Sequence, residues 1–408
     1  MRLRFLVIGL LALSFPAWAA DSASPDDTAK FLAGMPVSTD SPLAPLTRER
    51  SWQAHAAYLN STFRRVEDRQ LSRVRRWSKA NITVQRPTLF YMFSGPVFLY
   101  ANSFFPDETT YVLSGLEPVG SVPDLNRVSG ATMPRVLHTL DRSMVTLLNI
   151  SFFITKHMKS ELRASPVSGT LPLLYVFLAR SGKTITEVSL VRLTENGDVV
   201  APAGPVSPST AQGVKITFSS SPGGPAQTLY YFSTNLANNG FRKSGFEQFC
   251  DKLGEGVALV KSGSYLLHSG GFSDVRNFLL KKPVAIAQDD TGIPVRFFGP
   301  DWQLRPFGRY LRPLGIFPNA YQPGLAQIFR QGGALDFSVG YRWRPHESNL
   351  LLAIKKGAAT QPVNPNRREP SRRSRSRRPR AQSPRNPQYK ARRGPRDGPV
   401  RLQDDRLR

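Results

Sequence analysis

The stretch AQDDTGIP sets two carboxylates, Asp289 and Asp290, directly after the apolar run PVAIAQ. Adjacent carboxylates at the end of a strand could bind a cation, hold ligand hydroxyls or act as a general base. Successive side chains on extended backbone point opposite ways, so one of the two is expected to face a cleft while the other caps the turn into Gly292. Upstream, KSGSYLLHSGGFSDVRNFLL supplies Lys261, Tyr265 and His268. Tyr265 and His268 stand three apart and share a face if GSYLLH is helical. With Asp289 they form a candidate acid–base set in which Asp289 or His268 is the base. The competing reading makes Tyr265 and His268 satisfied hydrogen-bonding residues at the margin of a core. A further pair is Gly95, in FSGPV, and Glu117, in SGLEP, 22 residues later. That is close to the spacing at which an acidic residue meets a ribose hydroxyl, but Gly95 stands without the second and third glycines of a dinucleotide fingerprint.

Other chemistries leave no trace in the letters. SGKT at Ser181–Thr184 resembles the end of a phosphate-binding loop, yet Phe177 stands where the loop's first glycine is needed. There is no G-x-S-x-G elbow and no H-E-x-x-H. His55, His138, His157, His268 and His346 are too scattered to read as metal ligands, so no metal site and no cofactor is assigned. The lone cysteine, Cys250 in FEQFCDKLG, excludes an internal disulfide and reads as a buried, inert thiol on the inner face of a helix.

The elements that would position these residues follow from periodicity. Trp52, Ala56, Leu59, Phe63 and Val66 recur at helical steps, and Val74 and Trp77 resume the stripe after a slip near Leu71. The arginines between Arg64 and Arg76 lie mostly off that stripe, on a solvated face. TLFYMFSG, VFLYANSFF and TTYVLSGLEP read as strand, helix and strand, a βαβ unit whose strands must be parallel. An amphipathic helix should run from Met133 to about Leu162, with Met133, Val136, Leu140, Met144, Leu147, Ile154 and Met158 inward. Between Thr170 and Asn235 the apolar run LPLLYVFLA is mixed with β-rich stretches and with turn signals at Asn196-Gly197 and Pro222-Gly223-Gly224, the pattern of antiparallel hairpins. From Gly240 the α/β rhythm returns: helix around Cys250, strand GVALVK, helix GSYLLH, helix SDVRNFLL, strand PVAIAQ, a helix near Gln322 to Arg330, and a closing NLLLAIK. The expected fold is α/β: a mostly parallel central sheet flanked by helices, an added antiparallel hairpin region in the middle, and a disordered C-terminal tail. In such a sheet ligands bind beyond the carboxyl ends of the strands, which is where Gly95, Glu117, Lys261, Asp289 and Asp290 all fall.

Composition divides the 408 residues further. Residues 1–19 have the layout of a secretory leader: Arg2 and Arg4, an apolar run from Phe5 to Phe15, and Ala17-Trp18-Ala19 ahead of a cleavage point near Ala19. Pro16 cuts the run short of the ~20 apolar residues a span needs, and no later segment reaches that length. Residues 20–45 are rich in Ser, Pro and Asp and read as a flexible lead-in. Residues 46–356 form one globular α/β domain, large enough to be stabilised by burial at 40% hydrophobic content. Residues 357–408 carry sixteen Lys+Arg against four Asp+Glu, and they contribute heavily to the net charge of +26. With almost no large apolar residues this tail cannot offset its ordering entropy. It could adhere to anionic envelope polymers, or be a passive extension. The leader directs the chain to a periplasmic or secreted location, which argues against a nucleic-acid partner.

FSGPVFLYANSFFPDETTYVLSGLEPVG, SFFITKHMK, KSGSYLLHSGGFSDVRNFLL, QDDTGIPVRFF and DFSVGYRW together resemble a group of exported bacterial proteins of unassigned activity. The resemblance spans roughly Phe90 to Lys356 and implies an exported α/β unit. It supplies no substrate and no catalytic residues. Three functions remain open at this level: a small polar ligand or envelope component bound at the strand ends by Gly95, Glu117, Lys261, Tyr265, His268, Asp289 and Asp290; an envelope hydrolase using Asp289 or His268; or a structural, adhesive role for the basic tail. If the leader works as read, protein recovered from the periplasm or medium of a bacterial host begins near Ala20, as intact-mass measurement would show; retention of Met1 refutes it.

Overall fold

The computed structural model describes residues 22–150, 167–202, 209–342 and 344–358. The leader at 1–19, nearly all of the tail at 357–408, and residues 151–162 of the expected long helix lie outside them.

The segment 20–45 is not a loose lead-in. Helix α1 (Pro25–Leu32) begins there, and Ser24 Oγ accepts the Asp27 N–H at 3.0 Å. The same Ser-Pro-Asp-Asp composition that suggests a linker is also a helix start: a serine cap, proline in the first turn, and carboxylates at the positive end of the helix dipole. Phe31 and Leu32 are fully buried, with the Phe31 ring 5.8 Å from that of Trp52. Helix α2 (Arg50–Val66) passes through a π-helical turn, Glu67–Leu71, into α3 (Ser72–Asn81). This turn is the physical form of the slip near Leu71. A wider turn inserts extra chain and brings Leu71, Val74 and Trp77 back onto the buried side begun by Trp52, Leu59 and Phe63.

Strand β1 (Thr88–Tyr91), helix α4 (Phe98–Phe104) and strand β2 (Thr110–Gly115) form the expected unit, with β1 and β2 paired in parallel. Helix α5 spans Met133–Ile150 and buries Met133, Val136, Leu140 and Met144. LPLLYVFLA is helical: α6 (Leu171–Arg180) buries every residue from Leu171 to Ala179. A helix covered on all sides has no polar stripe, so periodicity alone could not separate it from a buried strand. Strands β3 (Thr184–Leu193), β4 (Val199–Val200), β5 (Gln212–Ser219) and β6 (Ala226–Ser233) are the expected hairpins. Helices α7 (Asn238–Lys243) and α8 (Phe246–Lys252) lead to β7 (Gly256–Val260), and α9 (Ser273–Lys281) to β8 (Pro283–Gln288). Strand β9 (Trp302–Gly308), helix α10 (Pro323–Ile328) and strand β10 (Asn349–Lys355) close the fold. Cys250 is fully buried on α8, and burial pushes its thiol well above the usual range, as expected of an inert residue.

The ten strands make one sheet in the order β4-β3-β5-β6-β2-β1-β7-β8-β10-β9. It is mixed, not mostly parallel. The pairs β6/β2, β2/β1, β1/β7 and β7/β8 are parallel, whereas β4/β3, β3/β5, β5/β6, β8/β10 and β10/β9 are antiparallel. The hairpin region extends one flank through short turns, which only antiparallel strands can use. On the other flank β10 returns against β8 instead of crossing over. The parallel centre is buried on both faces. Leu89, Tyr91, Tyr111, Leu113, Val257 and Leu259 pack under the helices α1 to α6, and Phe90, Met92, Val112, Ala258 and Val260 under α7 to α9. Among the described residues no helix is long and apolar enough to cross a membrane. Replacing Phe31 by alanine tests whether α1 belongs to the core. A cost of ~3–5 kcal/mol in denaturant unfolding is expected for a buried aromatic; no loss would return the segment to a loose lead-in.

Candidate functional site

Strand β1 is followed by α4 on one face of the sheet, while its neighbour β7 is followed by α9 on the other. The two crossovers leave in opposite directions, so a crevice must open between the carboxyl ends of β1 and β7. A cleft of about 460 Å³ lies there, within the range of small-molecule sites. The ends of four adjacent parallel strands contribute to it: Ser94 and Gly95 after β1, Leu116 and Glu117 after β2, Thr234 and Asn235 after β6, Lys261 and Ser262 after β7. Phe93, Leu236, Leu266, Phe272 and Phe317 make the walls apolar. Leu116 and Ile316, which also line it, are 55% and 78% exposed and form a hydrophobic collar.

Backbone strain gathers at this spot. Among the described residues the non-glycine positions with left-handed backbone are Phe93 (φ 61°), Ser262 (φ 57°), Ser264 (φ 49°) and Tyr265 (φ 55°). The first three line the cleft and the fourth follows directly. Each such residue costs ~1–3 kcal/mol and persists only where its surroundings over-determine it. Here they do. Ser262 N–H donates to Asp289 Oδ2 at 2.9 Å and Gly263 N–H to Thr291 Oγ1 at 2.7 Å. Tyr341 Oη donates to the Ser262 carbonyl at 2.9 Å and lies 2.6 Å from Ser264 Oγ. At the end of β1, Ser94 Oγ accepts the Ser114 N–H at 3.2 Å, and Gly95 N–H donates to the Ser114 carbonyl at 3.1 Å.

Two buried charges of opposite sign line the cleft. Glu117 folds back over Gly95 and Gly115: Tyr231 Oη donates to its carbonyl at 2.8 Å and approaches its Oε2 at 3.3 Å. A β-carbon at Gly115 would stand 2.3 Å from that Oε2, so position 115 has no room for a side chain while the carboxylate is there. Lys261 Nζ lies 4.4 Å from the centre of the Tyr100 ring. Burial pushes its ammonium down to about 8, against the attraction of Asp289.

The other candidates are placed differently. Asp289 does not line the cleft but sits beneath the 262–265 loop. Its Oδ1 accepts from Thr291 N–H at 3.0 Å and from the Thr291 hydroxyl, the turn-capping role, while Oδ2 holds Ser262. Burial and the adjacent Asp290 push Asp289 up to about 6. Asp290 is raised by burial as well; Tyr265 Oη donates to its Oδ2 at 2.5 Å and Asn349 Nδ2 to its Oδ1 at 3.0 Å. GSYLLH is not a regular helix: left-handed Ser264 and Tyr265 precede a short 3₁₀ turn, Leu266–His268. The Tyr265 and His268 rings still meet edge to face, 5.2 Å apart. Burial pushes His268 down to about 4. Thus Gly95, Glu117 and Lys261 come together in the cleft, Asp289 supports it, and Tyr265, His268 and Asp290 lie outside its lining. The acid–base set of Tyr265, His268 and Asp289 therefore does not line this cleft. Sequence reasoning missed Tyr341, Thr234 and Asn235. The last two follow the strand QTLYYFS, whose parallel pairing with β2 no local signal announces.

Among the described residues no group of three or more His, Cys, Asp or Glu side chains is arranged to hold a metal ion. No protein-family model, curated protein or solved structure matches the chain. The cleft sets polar groups at its strand ends beside an apolar wall. Lys261 also yields a measurable signature. Its folded pKa, about 8, is below the ~10.4 of a free lysine. The fold therefore holds fewer protons than the unfolded chain between those values, and the cost of burying the charge is full below pH 8 and fades as pH rises. Lys261→Met should be more stable than wild type at neutral pH, with the difference closing toward about pH 10.4. A pH-independent difference in unfolding free energy would refute the buried charge.

Proposed function

We propose that this chain is an exported binding protein whose cleft takes a small ligand, with a polar head beside Glu117 and Lys261 and an apolar body along Phe93, Phe272 and Phe317. The observation that carries this reading is the concentration of left-handed, non-glycine backbone around one crevice at the switch point of the parallel strands. Strain held in place by a buried hydrogen-bond network marks functional sites more often than plain core. Export rests on the leader-like residues 1–19.

Binding is favoured over hydrolysis by where the acid–base groups lie. Asp289 has both oxygens engaged by Ser262 and Thr291, and His268 is outside the cleft lining. Ser94, the serine nearest the end of β1, has its hydroxyl engaged with the backbone of Gly95 and Ser114.

The test is a thermal-shift screen of the full chain against amino acids, sugars and short fatty acids. Ligand present at 100 times its Kd contributes ~2.7 kcal/mol, enough to raise the melting temperature visibly. Gly115→Ala, which forces the Glu117 carboxylate aside, should abolish the shift while the variant still melts cooperatively. If no compound shifts wild type, or if Gly115→Ala keeps the response, the cleft is not the binding site.

A further inference from the structure

We infer that the cleft takes a primary amine with an aromatic body, its ammonium held on the carboxylate of Glu117 and its body along the rings of the wall. This rests on the reading of the cleft as a binding site and goes beyond it by naming the ligand's class.

Among the described residues Glu117 is the one carboxylate that lines the cleft, and it is 4% exposed. The donor that reaches it is Tyr231 Oη, 2.8 Å from the Glu117 carbonyl and 3.3 Å from Oε2. A hydroxyl has one proton to give, and the shorter contact goes to the carbonyl. Oε2 therefore has at most a shared bond, and Oε1 accepts none among the described residues.

The surroundings leave that need open. A β-carbon at Gly95 would lie 3.5 Å from Oε2 and one at Gly115 2.3 Å, so neither flanking position brings a side-chain donor. Hydroxyls at the neighbouring strand ends are committed elsewhere: Ser94 Oγ donates to the Gly95 carbonyl at 2.8 Å and Thr234 Oγ1 to Ser244 Oγ at 3.2 Å. Lys261, the one ammonium in the lining, is engaged within the protein, 4.4 Å from the centre of the Tyr100 ring and under the attraction of Asp289.

A carboxylate taken out of water with open lone pairs is costly, and a donor that carries positive charge offsets most of that cost. An alcohol would fill a lone pair without answering the charge. An ammonium does both, and its bond to a carboxylate is the stronger kind. An acid would be repelled. Phe93, Phe272 and Phe317 line the same cleft, the first two with ring centres 6.0 Å apart and planes tilted by 57°. Such rings bury an apolar body, and their faces attract a cation.

Phenethylamine, 2-phenylethanol and 3-phenylpropanoate share one apolar body and differ in the head. Titrated calorimetrically into the full chain at neutral pH, phenethylamine should bind at least about tenfold more tightly than 2-phenylethanol, the worth of a charged over a neutral hydrogen bond. The acid should bind most weakly. Glu117→Gln should bring phenethylamine down to the affinity of 2-phenylethanol and leave the alcohol within about twofold of its wild-type value; a collapsed cleft would lose both. If the alcohol or the acid binds wild type as tightly as the amine, or the amine keeps its advantage in the variant, the cleft remains a ligand site and the ammonium assignment falls. It falls too if none of the three binds while a compound of the thermal-shift screen does. If nothing binds in either experiment, the reading of the cleft falls with it. Should Glu117→Gln fail to melt cooperatively, the wild-type order alone decides.

Discussion

The buried carboxylate of Asp289 is the constraint on which the cleft depends. One oxygen takes the Ser262 N–H beyond β7, and the other takes the Thr291 N–H beyond β8, so a single side chain ties the ends of two neighbouring strands. A third segment is drawn in from far along the chain. Gly340, at φ +63°, passes so close that a β-carbon there would stand 1.7 Å from Oδ2. That approach delivers Tyr341 to the Ser262 carbonyl and the Ser264 hydroxyl. Burying a carboxylate is costly unless its lone pairs are filled. Here backbone and hydroxyl donors fill them, and the Lys261 ammonium adds attraction.

The sheet divides its labour between centre and flanks. Parallel pairing from β6 to β8 turns the strand-end loops to one edge, the only way they can share a crevice. Antiparallel strands on both sides extend the sheet without adding to that edge in the same sense. With both faces of the centre buried under helices, the strands are a rigid base. A rigid base is what lets four residues keep an unfavourable backbone. The buried pair Glu117 and Lys261 obeys the same logic: each charge is tolerated because neighbouring groups, Tyr231 for one and Tyr100 and Asp289 for the other, were placed by the fold.

Much of the scaffold was legible in the letters. The β1–α4–β2 unit, the hairpins, the strands around PVAIAQ and GVALVK and the break in the long helix follow from periodicity and turn residues, which are local. The misreadings also have local causes. Ser-Pro-Asp-Asp serves both a linker and a helix cap, and LPLLYVFLA has no polar face because it is enclosed. Tyr265 and His268 have helical spacing, but Ser262 and Ser264 take left-handed backbone that only distant partners, Asp289 and Tyr341, could impose. That Gly95, Glu117 and Lys261 line one cleft follows from the rule that crevices open beyond the ends of parallel strands. Asp289 was expected in the cleft; its carboxylate instead bonds Ser262 and Thr291 beneath it.

By itself the sequence determined most of the strands and helices, that α4 must cross over between β1 and β2, and where polar residues follow apolar runs. These rest on interactions within a few residues of one another. Only the tertiary structure decided that β6 lies beside β2 and β10 against β8, and that Glu117 and Lys261 face one hollow while Tyr265, His268 and Asp290 do not. Those outcomes depend on strand order and on hydrogen bonds between residues tens of positions apart, and such contacts leave no periodic mark along the chain.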